Sequence, residues 1–363
     1  MFVAWRDLRF AKGRFALMGS VVLLITLLVG LLSGLTAGLA RENTSAVTGL
    51  PASHLAFAAP AGGREVSFTR SQVPEKAWRA WRAQPGVRSA EPLAIRTTDA
   101  AAGERTAAVS VFGVDPAGPL APRGAGLARG RVVLTEKAAK ELGGLTAGAR
   151  LRIGPLDLTV AAVSGTAAYS HTPVVWTDLG DWQRLGNPAA ADTLATVVAL
   201  DAPDASGPAL AAGDRAAGTA ARTVDEALGA IGSYQAENGS LQLMRGFLFA
   251  ISALVIGAFF TVWTIQRSAD VAVLKALGAS TPYLLKDALG QAVVMLAIGT
   301  GLGTALAAGF GALISGGDVP FVLATATVLA PAGIMIVLGA LGAALSIRRI
   351  TSVDPLTALG SAR

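Results

Sequence analysis

The sequence has no cysteine and only two histidines, His54 and His171, among its 363 residues. Without cysteine there is no disulfide framework and no thiolate zinc site, so an exported domain has to stand on its core alone. Lysine never follows glycine, which excludes the Gly-Lys-Ser/Thr ending of a Walker A loop and with it an ATP site of this kind in the chain. Neither HExxH nor GxSxG occurs, so the metalloprotease and hydrolase signatures are missing too. Charge is absent from four long stretches, Phe15–Ala40, Gly246–Gln266, Ala288–Gly317 and Val319–Ile347. Each is longer than the ~20 residues a helix needs to cross a bilayer core. None contains Asp, Glu or His, the side chains that form intramembrane proton relays.

The charge that is present has a pattern. The formal net charge is +6, yet residues 41–240 contain 19 basic and 19 acidic residues, leaving 11 basic and 5 acidic outside them. Most of that excess sits at Arg6, Arg9, Lys12 and Arg14, then Arg267, Lys275 and Lys286, then Arg348, Arg349 and Arg363. These positions flank helix ends that share one side of a membrane, and the positive-inside rule makes that side the cytoplasm. A nucleic-acid role loses its support, because the surplus is explained by topology. The first apolar run, at 26 residues, exceeds the roughly 7–15 residues of a signal-peptide core, so it reads as a retained span.

The expected organisation is an α-helical integral membrane protein with four spans in a one-plus-three arrangement and an α+β extracytoplasmic domain inserted after the first. A cytoplasmic amphipathic segment covers 1–14, with Trp5 and Phe10 among headgroups. The first span covers 15–40, the external domain 41–240 and the second span 244–266. A cytoplasmic connection follows at 267–287, then a third span at 288–314, an external turn at 315–320, a fourth span at 321–347 and a cytoplasmic tail at 348–363. Within the domain, short strand-like stretches separated by Gly/Pro turns are read at Ala107–Val114, Arg131–Leu134, Leu158–Val163 and Thr196–Leu200. Helices are expected at Pro74–Gln84, Glu136–Leu142 and Val224–Gly229, and residues 201–220, rich in Ala, Gly, Asp and Pro, read as a loose connection. Gly299, Gly303, Ala305, Ala307 and Ala308 offer a small-residue face for close helix packing, and Pro331 is placed to kink the last span.

Three segments then carry a resemblance. The stretch Thr264–Ser280 resembles the coupling helix of the MacB/FtsX-like permeases of ABC transporters, and Arg348–Leu359 resembles that family's cytoplasmic ending. Ser33–Ser45, Ser233–Glu237 and Tyr169–Pro173 are similar to the haem-exporting branch of the family, with part of the pattern shared by DevC-type permeases. The resemblance implies a bacterial plasma-membrane permease with both termini in the cytoplasm. It also implies a non-enzymatic subunit that pairs as a homodimer with two copies of a separate cytoplasmic ABC ATPase, which binds the ATP. In the coupling segment, Arg267, Asp270, Val271, Val273, Leu274, Lys275, Leu277 and Gly278 are the expected ATPase contacts. The four apolar residues form a stripe at helical spacing and Gly278 supplies a left-handed cap. A plain interfacial helix has the same pattern.

For haem as substrate, the expected contacts are Arg41, Glu42, Asn43, Tyr169, His171, Tyr234, Glu237, Met244 and Arg245. Haem presents an apolar macrocycle, two propionates and an iron, so Arg41 or Arg245 suits the propionates and Glu42 or Met244 the iron. The same residue types serve as interfacial anchors, and the two tyrosines and the lone His171 serve equally as packing residues. Two other functions remain open at this point: export of another amphiphile (antibiotic, peptide or lipid), and a mechanotransmitter that regulates a cell-envelope protein without transporting anything.

Overall fold

Long uncharged runs leave the backbone one way to satisfy its hydrogen bonds in lipid, and the chain takes it four times. The computed structural model describes residues 12–186, 193–266, 273, 278–314 and 319–351. Four of its helices are long and apolar enough to cross a membrane. The chain divides into two compact units, a helical one (Met1–Gly38 with Ser240–Arg363) and an α+β one (Leu39–Gly239).

Helix α1 spans Lys12–Thr48, so the first helix continues eight residues past the expected end of its span. The continuation Arg41–Thr48 is polar on one side but contains no Gly or Pro until Gly49, so nothing stops the helix sooner. In the α+β unit, strand β1 (His54–Ala58) is followed by a short β2 (Val73–Pro74) and helix α2 (Glu75–Arg82). Next come β3 (Ser89–Ala102), β4 (Arg105–Val114), β5 (Arg131–Leu134) and α3 (Glu136–Glu141). Strands β6 (Arg150–Ile153), β7 (Leu156–Val163), β8 (Ala168–Tyr169) and β9 (Thr172–Asp178) lead to α4 (Leu179–Arg184). The unit ends with β10 (Thr193–Ala195), β11 (Val197–Asp201), α5 (Gly207–Ala217), β12 (Thr219–Thr223) and α6 (Val224–Ala227).

The long β3 serves two sheets. Its first half, Ser89–Leu93, pairs with β11, and its second half, Ala94–Ala102, pairs with β4. From there the ladder runs β3-β4-β9-β5-β7-β6 and returns to β3 through Ala100↔Ile153, closing a six-stranded barrel. Alternation puts Val174 and Trp176 of β9 in one buried cluster and Val175 in another, on the opposite face of the wall. The second sheet, β12-β1-β11-β3, is covered by α2 and α5, with the fully buried Trp81 between them. A Cβ on Gly213 of α5 would lie 2.3 Å from the Trp81 ring, so only glycine admits the indole there. The expected loose connection at 201–220 is thus an ordered helix and strand. Its alanines are strong helix formers, Pro208 sits in the first turn, and Gly218 ends the helix at φ +67°.

The helical unit contains the rest of α1, together with α7 (Gly232–Gln266, from Ser240 on), α8 (Thr281–Ile314) and α9 (Thr325–Thr351). Gly299 and Gly303 of α8 face α1: a Cβ on Gly303 would sit 2.5 Å from the Leu23 carbonyl oxygen, and one on Gly299 would sit 2.9 Å from Val22 Cγ1. One turn on, Ala307 is buried and a Cβ on Gly30 would meet it at 2.8 Å. The packing face is therefore the four-residue row 299, 303, 307, while Ala305 is exposed. The fourth helix begins at Thr325 rather than at 321, because Phe321 is wedged between α1 and α8. Cβ atoms on Gly34 and Gly311 would lie 2.2 and 2.4 Å from its ring. Pro331 lies inside α9. Of the coupling residues, Val273 is helical and exposed and Gly278 takes φ +93°, on the left-handed side. Arg267, Asp270, Val271, Leu274, Lys275 and Leu277 lie outside the described residues, as do most of the 1–14 segment, the 315–318 part of the external turn, and the tail from 352.

Candidate functional site

Three chain segments meet in the α+β unit: the last turns of α1, the first turns of α7 and the tip of the β8–β9 hairpin. The tip is Ser170 and His171, at φ +50° and +64°. Two left-handed residues in succession match the twist of a tight hairpin, but glycine or asparagine usually fills such places. Side chains with a Cβ cost of order 1–2 kcal/mol each there, so the surroundings must hold the tip in place. They do so through α1, whose Asn43 and Glu42 carbonyls accept the Ser170 and His171 backbone N–H groups at 3.0 and 3.3 Å. Ser45 adds a second clamp, accepting the Ala168 N–H at 2.9 Å.

Asn43, only 1% exposed, is the hub. Its Oδ1 accepts the Ser233 hydroxyl at 2.7 Å, and its Nδ2 donates to Glu237 Oε2 at 3.1 Å. Ser233 and Glu237 are one turn apart on α7, so a single face of that helix supplies both. The His171 Nε2 lies 2.8 Å and 2.9 Å from the two Glu237 oxygens. A bare ring nitrogen would set its lone pair against a carboxylate, so Nε2 carries the proton and donates to Glu237. The Asn43 amide, 2.9 Å from that nitrogen, is then satisfied through Glu237 instead. Across the imidazole, Nδ1 is 3.9 Å from Glu42 Oε2, and Lys137 Nζ donates to Glu42 Oε1 at 2.7 Å. With both partners partly exposed, the Lys137–Glu42 pair contributes at most ~1 kcal/mol.

Of the nine residues expected around a substrate, the fold therefore brings together Glu42, Asn43, His171 and Glu237. Arg41 is next to them in sequence but exposed. Tyr169 turns away into the core, 5% exposed, edge-on to Phe68 and Phe112 at 5.7 Å each. Tyr234 packs half-buried against the same cluster. Met244, half exposed, and Arg245 lie farther along α7, in the helical unit. The sequence reading missed Ser170, Ser233 and Lys137. Ser233 was within reach, since it precedes Glu237 by four residues; nothing in the sequence marks Lys137.

Burial pushes the Tyr169 phenol well above the ordinary tyrosine range. A phenol whose folded pKa is raised stabilises the fold fully below the unfolded value near 10 and loses that contribution as pH rises through the folded value. The melting temperature of the wild-type protein is expected to fall as pH is raised above 10, and that of Tyr169→Phe to fall less steeply. Parallel slopes in the two proteins would contradict the assignment.

Residues 243–355, from α7 to the end of α9, match the C-terminal region of FtsX-like permeases. Over 364 residues the chain is 24% identical to a Staphylococcus epidermidis protein named as a hemin transport system permease, HrtB, across 99% of each chain. The chain's C-terminal region is that of an FtsX-like permease. A 130-residue stretch is 37% identical to HrtB of Staphylococcus haemolyticus, covering 36% of the permease and 37% of that protein. Over 282 residues the permease is also 25% identical to an uncharacterized ABC transporter permease of Mycobacterium bovis, covering 76% of each. The permease is thus the multi-pass membrane subunit of an ABC transporter, and ATP hydrolysis belongs to a partner ATPase.

Proposed function

We propose that the permease exports haem, drawing it from the membrane with energy from its ATPase partner. The observation that carries this reading is the end-to-end similarity to a permease named for hemin transport. In this reading both termini and the 267–287 segment are cytoplasmic, the α+β unit is external, and two permeases assemble with two ATPases. The coupling residues Arg267 to Gly278 dock on the ATPase. Its closure on ATP shifts α1 and α7, and the Glu42–Asn43–His171–Glu237 network ties the shift of the two helices to the β8–β9 tip. Haem is cargo, its propionates met by Arg41 or Arg245 and its iron by Glu42 or Met244.

Glu42 is already engaged by Lys137, so ligation by its carboxylate requires that ion pair to open. Met244, half exposed, has no such cost. Hemin titrated into the detergent-held permease is expected to give a saturable Soret shift. Glu42→Ala or Met244→Ala is expected to weaken it by about tenfold, the equivalent of one lost ligand contact near 1.4 kcal/mol. Wild-type affinity in both variants would remove these two ligands from the account.

A further inference from the structure

The α+β unit holds a cavity of about 510 Å³ with Tyr169 in its lining. It lies where β3 passes from one sheet to the other, and Ile95, Arg96, Thr97, Phe68 and Trp182 are among its lining residues. Its size is that of an ordinary small-molecule site. Among the described residues its lining contains no carboxylate.

The donors in that wall are under-used. Trp182 is 6% exposed, and its Nε1–H is buried with no acceptor. Native proteins rarely leave such a group orphaned, because a buried donor without a partner has lost its water and gained nothing. Gly113 packs against the base of this side chain: a Cβ there would lie 2.5 Å from Trp182 Cβ. The Arg96 guanidinium carbon lies over the Trp182 ring, 5.2 Å from its centroid, and Nη1 donates to the Leu185 carbonyl, so one of a guanidinium's five N–H groups is engaged. Tyr169 also lines the space, and among the described residues its hydroxyl has no hydrogen-bond partner. A phenol is protonated at neutral pH, and so a donor.

We propose that this cavity binds a small apolar or aromatic anion, an amphiphile bearing a carboxylate or a group of like charge, whose oxygens take the Arg96 and Tyr169 donors. Phe68, Ile95 and the indole face hold its apolar part. Ser170 and His171 follow Tyr169 directly, so an occupant touching the ring lies two residues from the network that joins α1 and α7.

The test uses the full chain in lipid nanodiscs and anilinonaphthalene sulfonate, an aromatic anion that fluoresces when bound, with empty nanodiscs as background. The wild type is expected to show one saturable component, displaced by naphthoate at a concentration about tenfold lower than by the neutral naphthalenemethanol. Arg96→Gln is expected to weaken the probe by about tenfold, and Trp182→Phe to weaken it by a smaller factor. Arg96 also braces the end of α4, so Thr69→Trp provides a second route. Thr69 is exposed at the cavity's edge, and an indole there fills the space without disturbing the core. Loss of the saturable component in Thr69→Trp supports the site. A component unchanged in Thr69→Trp, equal displacement by acid and alcohol, or no saturable binding in the wild type would overturn it. Haem-dependent ATP hydrolysis in the same Thr69→Trp protein keeps this outcome separate from that of the export reading.

Discussion

Replacing Asn43 by leucine is expected to lower the melting temperature of the permease by roughly 10 °C and to uncouple α1 from α7. The amide is buried and joins Ser233 on α7 to Glu237 one turn on. Leucine fills much the same volume but removes both of these hydrogen bonds, leaving Ser233, among the described residues, with only the Ser170 hydroxyl and Glu237 with only His171. A neutral hydrogen bond contributes about 0.5–1.5 kcal/mol and one to a charged group about 1.5–3, so a loss of about 3 kcal/mol is the central expectation. For a unit near 200 residues, each kcal/mol is worth roughly 2–4 °C. Asn43→Asp sharpens the test. It keeps the acceptor for Ser233 but sets a second carboxylate against Glu237, so it should be destabilised at pH 7 and recover as the pair is protonated. If Asn43→Leu melts with the wild type, the network does not hold these helices together.

A single methyl group at Gly303 is expected to have an effect of similar size in the helical unit. The added Cβ would lie 2.5 Å from the Leu23 carbonyl oxygen and 2.8 Å from Thr26 Cβ. Backbone cannot swing aside as the end of a long side chain can, so α1 and α8 must separate. Overpacking of this kind costs about 1–3 kcal/mol for a small residue, and Gly303→Leu should prevent assembly of the unit. Gly34→Leu and Gly311→Leu should act in the same way, by evicting the Phe321 ring held between them. The control is Ala305→Leu, two residues from Gly303 but on the exposed face, which should leave the detergent-extracted protein monodisperse. Size-exclusion profiles and thermal aggregation distinguish the cases. A stable Gly303→Leu would contradict the packing described for α1 and α8.

How much of this was legible in the sequence depended on how local each signal was. The four apolar runs needed nothing beyond the length of a helix and the absence of charge. Strands β4, β5, β7 and β11 showed as short strand-like stretches between Gly/Pro turns, and α2 and α3 as helical stretches. The closed barrel was not legible, because its defining contact, Ala100 with Ile153, joins residues about fifty positions apart with no local mark. The helix at Gly207–Ala217 was hidden by composition: alanine and glycine with aspartate resemble a linker until packing against Trp81 fixes the glycine. The small-residue face was visible as a set of candidates, but only the partner helix distinguishes Gly303 and Ala307 from Ala305. At the candidate site, Glu42, Asn43, His171 and Glu237 were chosen by resemblance at separate points of the chain, and the fold supplies the distances between them. Tyr169 reversed its expected role, since an aromatic core around Phe68 and Phe112 claims its ring. Lys137 came from a helix that the sequence tied to nothing.

The central claim, that this permease moves haem for an ABC ATPase, has one direct measurement. The permease is reconstituted in liposomes with its partner ATPase, and ATP hydrolysis is followed as hemin is added. The account predicts saturable stimulation of hydrolysis, diminished in Asn43→Leu and in whichever of Glu42→Ala and Met244→Ala loses the Soret shift. Hydrolysis indifferent to hemin at every concentration, in a complex that remains assembled, would contradict it.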